Sequence, residues 1–178
     1  QRALLDTGVK TFADIHRIDA LEKSSRQKVI FNDNMGRLKL APSHFIEACL
    51  IDYAANTKTA EYDLVILDAP CSSPGIIASH SEIKYTLSQK RQQYFRAMQR
   101  QLLEASWHLL KPGGALIYMT CSVFKAENEK QMQWFLRQHP EASVALMPVF
   151  AEGVPCKIGQ QILPKEMNLG FYYAKLIK

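Results

Sequence analysis

The chain has 178 residues, of which 47% are hydrophobic and 22% charged. That balance fits one folded domain with a sizeable core and excludes a disordered chain. No apolar run approaches the roughly 20 residues that a membrane-crossing helix needs, so neither a spanning helix nor a membrane partner is expected.

Lys and Arg number 22 against 17 Asp and Glu, and the net charge of +5 suits a polyanionic partner without requiring one. The 4 cysteines are Cys49, Cys71, Cys121 and Cys156. They form no C-x-x-C pair and no Cys/His cluster with zinc spacing, so no metal site is expected. Free thiols in a reducing cytoplasm are expected in place of a disulfide scaffold. Gln1 stands where Met would open a protein and no signal-peptide pattern follows, so further chain is expected upstream.

In chain order, residues 1–9 read as the end of a helix stopped at Gly8. Phe12 to Ile18 reads as a strand that ends at Asp19. Glu22 to Lys28 is polar and reads as a loop. Val29-Ile30-Phe31, the run Asn32-Asp33-Asn34-Met35-Gly36 and then Arg37 to Leu40 predict a hairpin around a turn. Phe45 to Ala55 predicts a short helix opened by Ser43.

From Tyr62 the pattern sharpens. Leu64-Val65-Ile66-Leu67 is a continuous apolar run closed by Asp68-Ala69-Pro70, the mark of a strand buried on both faces. A loop with Pro74 and Gly75 follows. A long helix is expected from about Ser88 to Leu110, with Tyr94, Met98, Leu102, Ala105 and Leu109 as its apolar stripe. Lys111-Pro112-Gly113-Gly114 stops it. Ala115 to Met119 is a second buried strand, Glu127 to Gln138 another helix, and Gly170 to Ile177 a closing strand. Strands alternating with helices, with crossovers long enough for parallel pairing, predict an α/β doubly wound sheet.

Ligands in such sheets bind beyond the carboxyl ends of the strands. Two strands here end in reactive residues, Asp68-Ala69-Pro70-Cys71 and Thr120-Cys121-Ser122. A third ends in Asp19-Ala20. Side by side, they would gather two carboxylates and two thiols. A lone cysteine after a strand is most often inert packing. Two in the same context are less easily dismissed. A redox pair is the rival chemistry, and nothing in the sequence sets the sulfurs at bonding distance. Cys49 and Cys156 lie in no such context and read as structural or incidental. Asp14 and Asp33 are rivals to Asp19.

Asp68-Ala69-Pro70-Cys71-Ser72-Ser73 followed by Thr120-Cys121-Ser122 resembles the paired signatures of the RNA (cytosine-5)-methyltransferases. That family holds bacterial ribosomal RNA methyltransferases and eukaryotic Nop2/Sun proteins. His80-Ser81-Glu82-Ile83-Lys84-Tyr85, Leu110-Lys111-Pro112-Gly113-Gly114, Glu127-Asn128 and Gly170-Phe171-Tyr172-Tyr173-Ala174-Lys175 match in order, so the likeness runs from about Tyr62 to Lys178.

The resemblance implies a Rossmann-like, S-adenosylmethionine-dependent sheet acting on RNA, most simply ribosomal RNA. It implies that Cys121 attacks carbon 6 of cytosine and that Cys71 assists release. Asp68 would hold the ring nitrogen and amine edge. Asp68 and Pro70 would also lie near the cofactor, with Asp19 accepting from the adenine amine. Attack needs the thiolate, and an ordinary thiol near pKa ~8.5 is mostly protonated at neutral pH. Lys84 or Lys125 is expected to supply the positive charge that helps.

His80 and Lys84 are expected to meet the RNA strand. Lys90, Arg91, Arg96, Arg100 and Lys111 read mainly as a solvated face. The family's glycine-rich cofactor loop and its ribose-gripping acid are not found and are expected before Gln1. The chain then reads as a single partial catalytic domain, with an insertion at about 23–61 and weak cofactor binding by itself. The alternative is a catalytically silent RNA-binding fragment that keeps the sheet.

Overall fold

In the computed structural model, residues 15–38, 43–147, 153–165 and 169–178 are described. The helix end expected over residues 1–9 lies outside them, as do Phe12 and Asp14. Two compact units are present, one ending at Lys58 and one running from Thr59 to Lys178.

In the first unit, β1 (Ile18–Glu22) and β2 (Ser43–Glu47) pair in parallel from Ile18 opposite Ser43 to Glu22 opposite Glu47. Parallel neighbours need a crossover, and α1 (Arg26–Leu38) supplies it. This helix replaces the expected hairpin. Asn32-Asp33-Asn34-Met35-Gly36 has the composition of a turn. Phe31, Asn34 and Met35 nevertheless fall at helical spacing and form the half-buried face, with the Phe31 ring centroid 5.8 Å from that of Phe45 on β2. Tertiary packing thus overrides local turn chemistry. The helix expected over Phe45 to Ala55 is instead β2 followed by α2 (Leu50–Asn56).

In the second unit, β3 (Tyr62–Asp68) leads through a 3-10 turn (Pro74–Ile76) and the short α3 (Ile83–Thr86) to α4 (Gln89–Leu109). Ser88 caps α4, its hydroxyl accepting from the Arg91 amide at 3.2 Å. The chain then turns straight into β4 (Leu110–Thr120), parallel to β3. The register slips within Lys111-Pro112-Gly113-Gly114. Tyr62 faces Leu110, yet Leu64 faces Ala115. Gly113 sits at φ 79°, a conformation that favours glycine, and donates its amide to Lys178 O at 2.7 Å.

After β4 come α5 (Glu129–Gln138), β5 (Ser143–Ala145), β6 (Gly153–Pro155), β7 (Gln160–Ile162) and β8 (Phe171–Ile177). The sheet order is β3-β4-β8-β7-β6, with β5 also on β8. The closing strand is antiparallel to β4, so this sheet is mixed. That orientation brings the start of β8 beside the end of β4, Tyr172 facing Thr120.

Two expectations change here. First, β3 pairs with β4 alone among the described residues, and Ile66 on it is 59% exposed where burial on both faces was expected. Second, of the expected stripe of α4, Ala105 and Leu109 are buried and Met98 and Leu102 half-buried, while Tyr94 is exposed and Gln99, Leu103 and Ser106 are buried beside them. A buried glutamine breaks the apolar pattern that the sequence offers. Leu103, Leu116, Tyr118, Met132, Phe135, Tyr172 and Leu176 form a fully buried core between this sheet and its helices. Burying each contributes ~1.5–3 kcal/mol.

Candidate active site

The carboxyl ends of β3 and β4 lie side by side, because Asp68 faces Met119 in the parallel register. Pairing continues one step further, with the Ala69 amide donating to Met119 O at 2.9 Å. Both chains then leave the sheet, and each delivers a cysteine. Cys71 Sγ and Cys121 Sγ stand 3.3 Å apart, closer than the sequence alone could specify.

Ser73 closes the first loop. It adopts φ 63°, the left-handed region, and is the one residue other than glycine to do so among the described residues. Such strain persists where the surroundings enforce it. The Ser73 hydroxyl lies 3.4 Å from Cys121 Sγ, 3.7 Å from Cys71 Sγ and 3.2 Å from Cys71 O.

This arrangement splits the acidity of the two thiols. Hydrogen bonding from Cys71 and then Ser73 outweighs desolvation and holds Cys121 down to about 6. Cys71 is pushed well above the ordinary thiol range, chiefly because it shares its proton with Cys121 and because it is buried. Of the two thiols, Cys121 is the readier to ionise. The expected lysine is not the cause. Lys84 lies on the exposed α3 and Lys125 acts on Cys156.

Asp68, the last residue of β3, is open to solvent, yet desolvation by the neighbouring protein raises its carboxyl above the usual range. A carboxyl shifted that way is readier to share a proton with a ring nitrogen.

The other expected residues are placed as follows. Pro70 is half-buried and its carbonyl accepts from Gln99 Nε2 at 2.9 Å, so that oxygen is already used. His80 is exposed, with Nδ1 3.2 Å from Glu82 Oε1. Lys84 Nζ lies 4.9 Å from the ring centroid of Tyr85, which is itself 81% exposed. Asp19 falls within β1, not after it, and its buried carboxylate pairs with Arg17. Asp33 is exposed on α1. Cys49 precedes α2, and Cys156 lies near the β6–β7 turn with its thiol raised by burial.

Two residues escape sequence reasoning. Glu22 closes β1 and is exposed, its Oε1 accepting from the Ser24 amide at 3.0 Å. The signal for it is an acid directly before a polar stretch that begins a helix. Gln99 is hidden by its polarity, although its spacing from Leu103 and Ser106 marks the inner face.

A family model described as 16S rRNA methyltransferase RsmB/F matches residues 8–177. The chain belongs to this family. Among similar proteins, the ribosomal RNA small subunit methyltransferase B of Klebsiella pneumoniae (strain 342) is 41% identical over 119 residues, 66% of this chain and 26% of that protein. The protein of the same name from Salmonella paratyphi B is 42% identical, over 66% of this chain and 27% of its own length. The chain thus spans about a quarter of the length of these curated relatives.

Solved structures share the fold. The crystal structure of PH0851 superimposes with a TM-score of 0.81 at 32% identity, covering 91% of this chain and 37% of that one. NSun6 from Pyrococcus horikoshii, crystallised with SFG, gives 0.77 at 25% identity, covering 91% and 41%. The fold is a Rossmann-like methyltransferase sheet, part of a larger domain. Among the described residues no helix is long and apolar enough to cross a membrane, and no group of three His, Cys, Asp or Glu is placed to hold a metal.

Proposed function

We propose that this chain is the catalytic part of an S-adenosylmethionine-dependent RNA cytosine-5 methyltransferase acting on ribosomal RNA through a covalent Cys121 adduct. One observation carries the reading: Cys121 Sγ stands 3.3 Å from Cys71 Sγ at the ends of adjacent parallel strands, an arrangement that lowers the Cys121 thiol and raises the Cys71 thiol. The names of the relatives support ribosomal RNA as substrate.

Cytosine carbon 5 is a poor nucleophile until carbon 6 is attacked. The Cys121 thiolate bonds to carbon 6, and negative charge moves toward N3. Asp68, with its raised carboxyl, shares a proton there. S-adenosylmethionine, when bound, would supply the methyl group to carbon 5 and leave as S-adenosylhomocysteine. Once Cys121 is a thioether, it no longer claims the Cys71 proton or repels a second charge. The main cause of the high Cys71 pKa is thereby removed. Cys71 is then able to give its proton to solvent and, as the thiolate, to take the carbon 5 proton. The carbon 6–sulfur bond breaks and the Cys121 thiolate returns.

The donor set also fits the cofactor. An acid at the carboxyl end of a strand that feeds a crossover helix is where a ribose diol is held in nucleotide-binding sheets. Glu22 occupies that position, so we read Glu22 as the ribose acid. Asp19, already paired with Arg17, is a weaker candidate for the adenine amine. His80, Lys84 and the exposed Tyr85 are read as contacts for single-stranded RNA, from which a base is readily swung out. Reduced thiols are required throughout, which fits the cytoplasm.

The test uses the full-length protein and a cytosine-containing ribosomal RNA fragment with S-adenosylmethionine. Cys71→Ala should accumulate a protein–RNA adduct visible on a denaturing gel, and Cys121→Ala should form none and methylate nothing. Methylation by Cys121→Ala refutes the reading.

A further inference from the structure

Beneath the two sulfurs lies a carboxylate that the reaction above does not use. Glu127 is fully buried, in the turn before α5. One oxygen accepts from the Ser72 amide at 2.9 Å, and the other accepts from the Ser72 hydroxyl at 2.7 Å and the Ser122 hydroxyl at 2.6 Å. Ser72 follows Cys71, and Ser122 follows Cys121. Its own carbonyl accepts from the Tyr118 hydroxyl at 2.7 Å, which ties it to the body of β4. No lysine or arginine pairs with it among the described residues.

A buried carboxylate without a cation is costly unless hydrogen bonds satisfy it. Three donors from two loops do so here, and charge-assisted bonds are the strong kind. Asn128 beside it reaches the second loop but not the first, accepting from Thr120 Oγ1 at 2.6 Å and donating to Ser122 O at 2.9 Å and to Gln161 Oε1 on β7 at 2.8 Å. Glu127 alone among these groups grips the residue after each cysteine.

We propose that Glu127 is a positioning residue whose carboxylate clamps the Cys71 and Cys121 loops together and so sets the spacing of the two sulfurs. The proposal deepens the reading of the same site and rests on it for its catalytic meaning. The mechanism is indirect. Cys121 is lowered chiefly by its hydrogen bond with Cys71 and further by its contact with Ser73, and those contacts need the two loops in register. A loosened clamp lets the sulfurs part.

The test is the pH dependence of iodoacetamide labelling at Cys121 in the full chain, read by mass spectrometry on its peptide, without RNA or cofactor. The native midpoint should lie near about 6. Glu127→Gln keeps the shape but loses the charge, and its midpoint should climb toward the ordinary cysteine value of about 8.5. Ser122→Ala should raise it as well. The double variant should climb no further than the larger single one, because both cut the same link.

A folded Glu127→Gln chain with an unmoved midpoint overturns the proposal, and so do additive shifts. If circular dichroism shows that Glu127→Gln does not fold, Ser72→Ala and Ser122→Ala carry the same comparison: raised midpoints support the clamp and unmoved ones overturn it. A native Cys121 that labels like an ordinary cysteine is a different failure. That result removes the thiolate from the cytosine reading itself.

Discussion

Gly75 donates its amide to the carbonyl of Cys121 at 3.0 Å, and its own carbonyl accepts from the Gly170 amide at 2.7 Å. The turn after the first cysteine is thereby laced to the second cysteine and to the residue that leads into β8. A Cβ at Gly75 would collide with the Gly170 carbonyl oxygen and would meet Gly170 C at 2.8 Å and Cys121 O at 2.9 Å. All three are backbone atoms, which cannot swing aside. Gly75→Ala should destabilise the chain by about 1–3 kcal/mol, as overpacking does. Urea unfolding measures this, and an unchanged midpoint would contradict the packing described.

Gln99 supports the same loop from below. Its Nε2 donates to Pro70 O at 2.9 Å, and its Oε1 accepts from Gln131 Nε2 at 2.9 Å. Both glutamines are buried. Gln131 in turn donates to Arg96 O and accepts from Arg100 Nε at 3.2 Å. Gln99→Leu keeps the volume and leaves Pro70 O without its donor, which should cost about 1–3 kcal/mol. A Leu variant as stable as the parent would mean that the relay holds nothing.

The residues that are legible in the sequence share a physical trait: their local chemistry and their tertiary role agree. Ser88 caps α4 and Gly113 takes a positive φ after it, so that helix can be bounded from sequence. The runs ending at Asp68 and Thr120 stand as strands, and their cysteines meet as their shared context suggests. Where local and tertiary signals conflict, the sequence misleads. Gly36 and its Asn/Asp neighbours look like a turn, yet nothing lies within 4 Å of where a Gly36 Cβ would sit and the helix runs through. Gln99 looks like surface and lies in the core. The source of Cys121 acidity is hidden for a further reason. A neutral thiol 50 residues away in sequence leaves no charge pattern to read.

The pH dependence of adduct formation follows from the Cys121 shift. Its thiol loses its proton near about 6, so above that pH the thiolate is already present, and below it the proton returns. With Cys71→Ala to trap the adduct, the Cys71 donor is gone as well. The trapping rate should then fall off at a higher pH, closer to an ordinary thiol. The native enzyme, followed by single-turnover methylation, should lose rate only as pH drops through about 6. Identical profiles for the two proteins would show that Cys71 does not acidify Cys121.

The same closeness makes the pair oxidisable. Sulfurs 3.3 Å apart need to approach by little more than an ångström to reach the ~2.05 Å of a disulfide. The Cys121 thiolate is the better nucleophile toward hydrogen peroxide. It would take one oxygen as a sulfenic acid and release hydroxide. The Cys71 thiol would then displace water to close the bond. Mild peroxide should therefore abolish adduct formation and lower the mass by two hydrogens, with Cys49 and Cys156 still open to alkylation. Dithiothreitol should restore both activity and mass. Cys71→Ser should instead leave Cys121 to proceed to the sulfinic acid, a gain of two oxygens that the reductant does not reverse. If native chain and Cys71→Ser inactivate alike and neither recovers, the two loops do not bring their sulfurs together in solution.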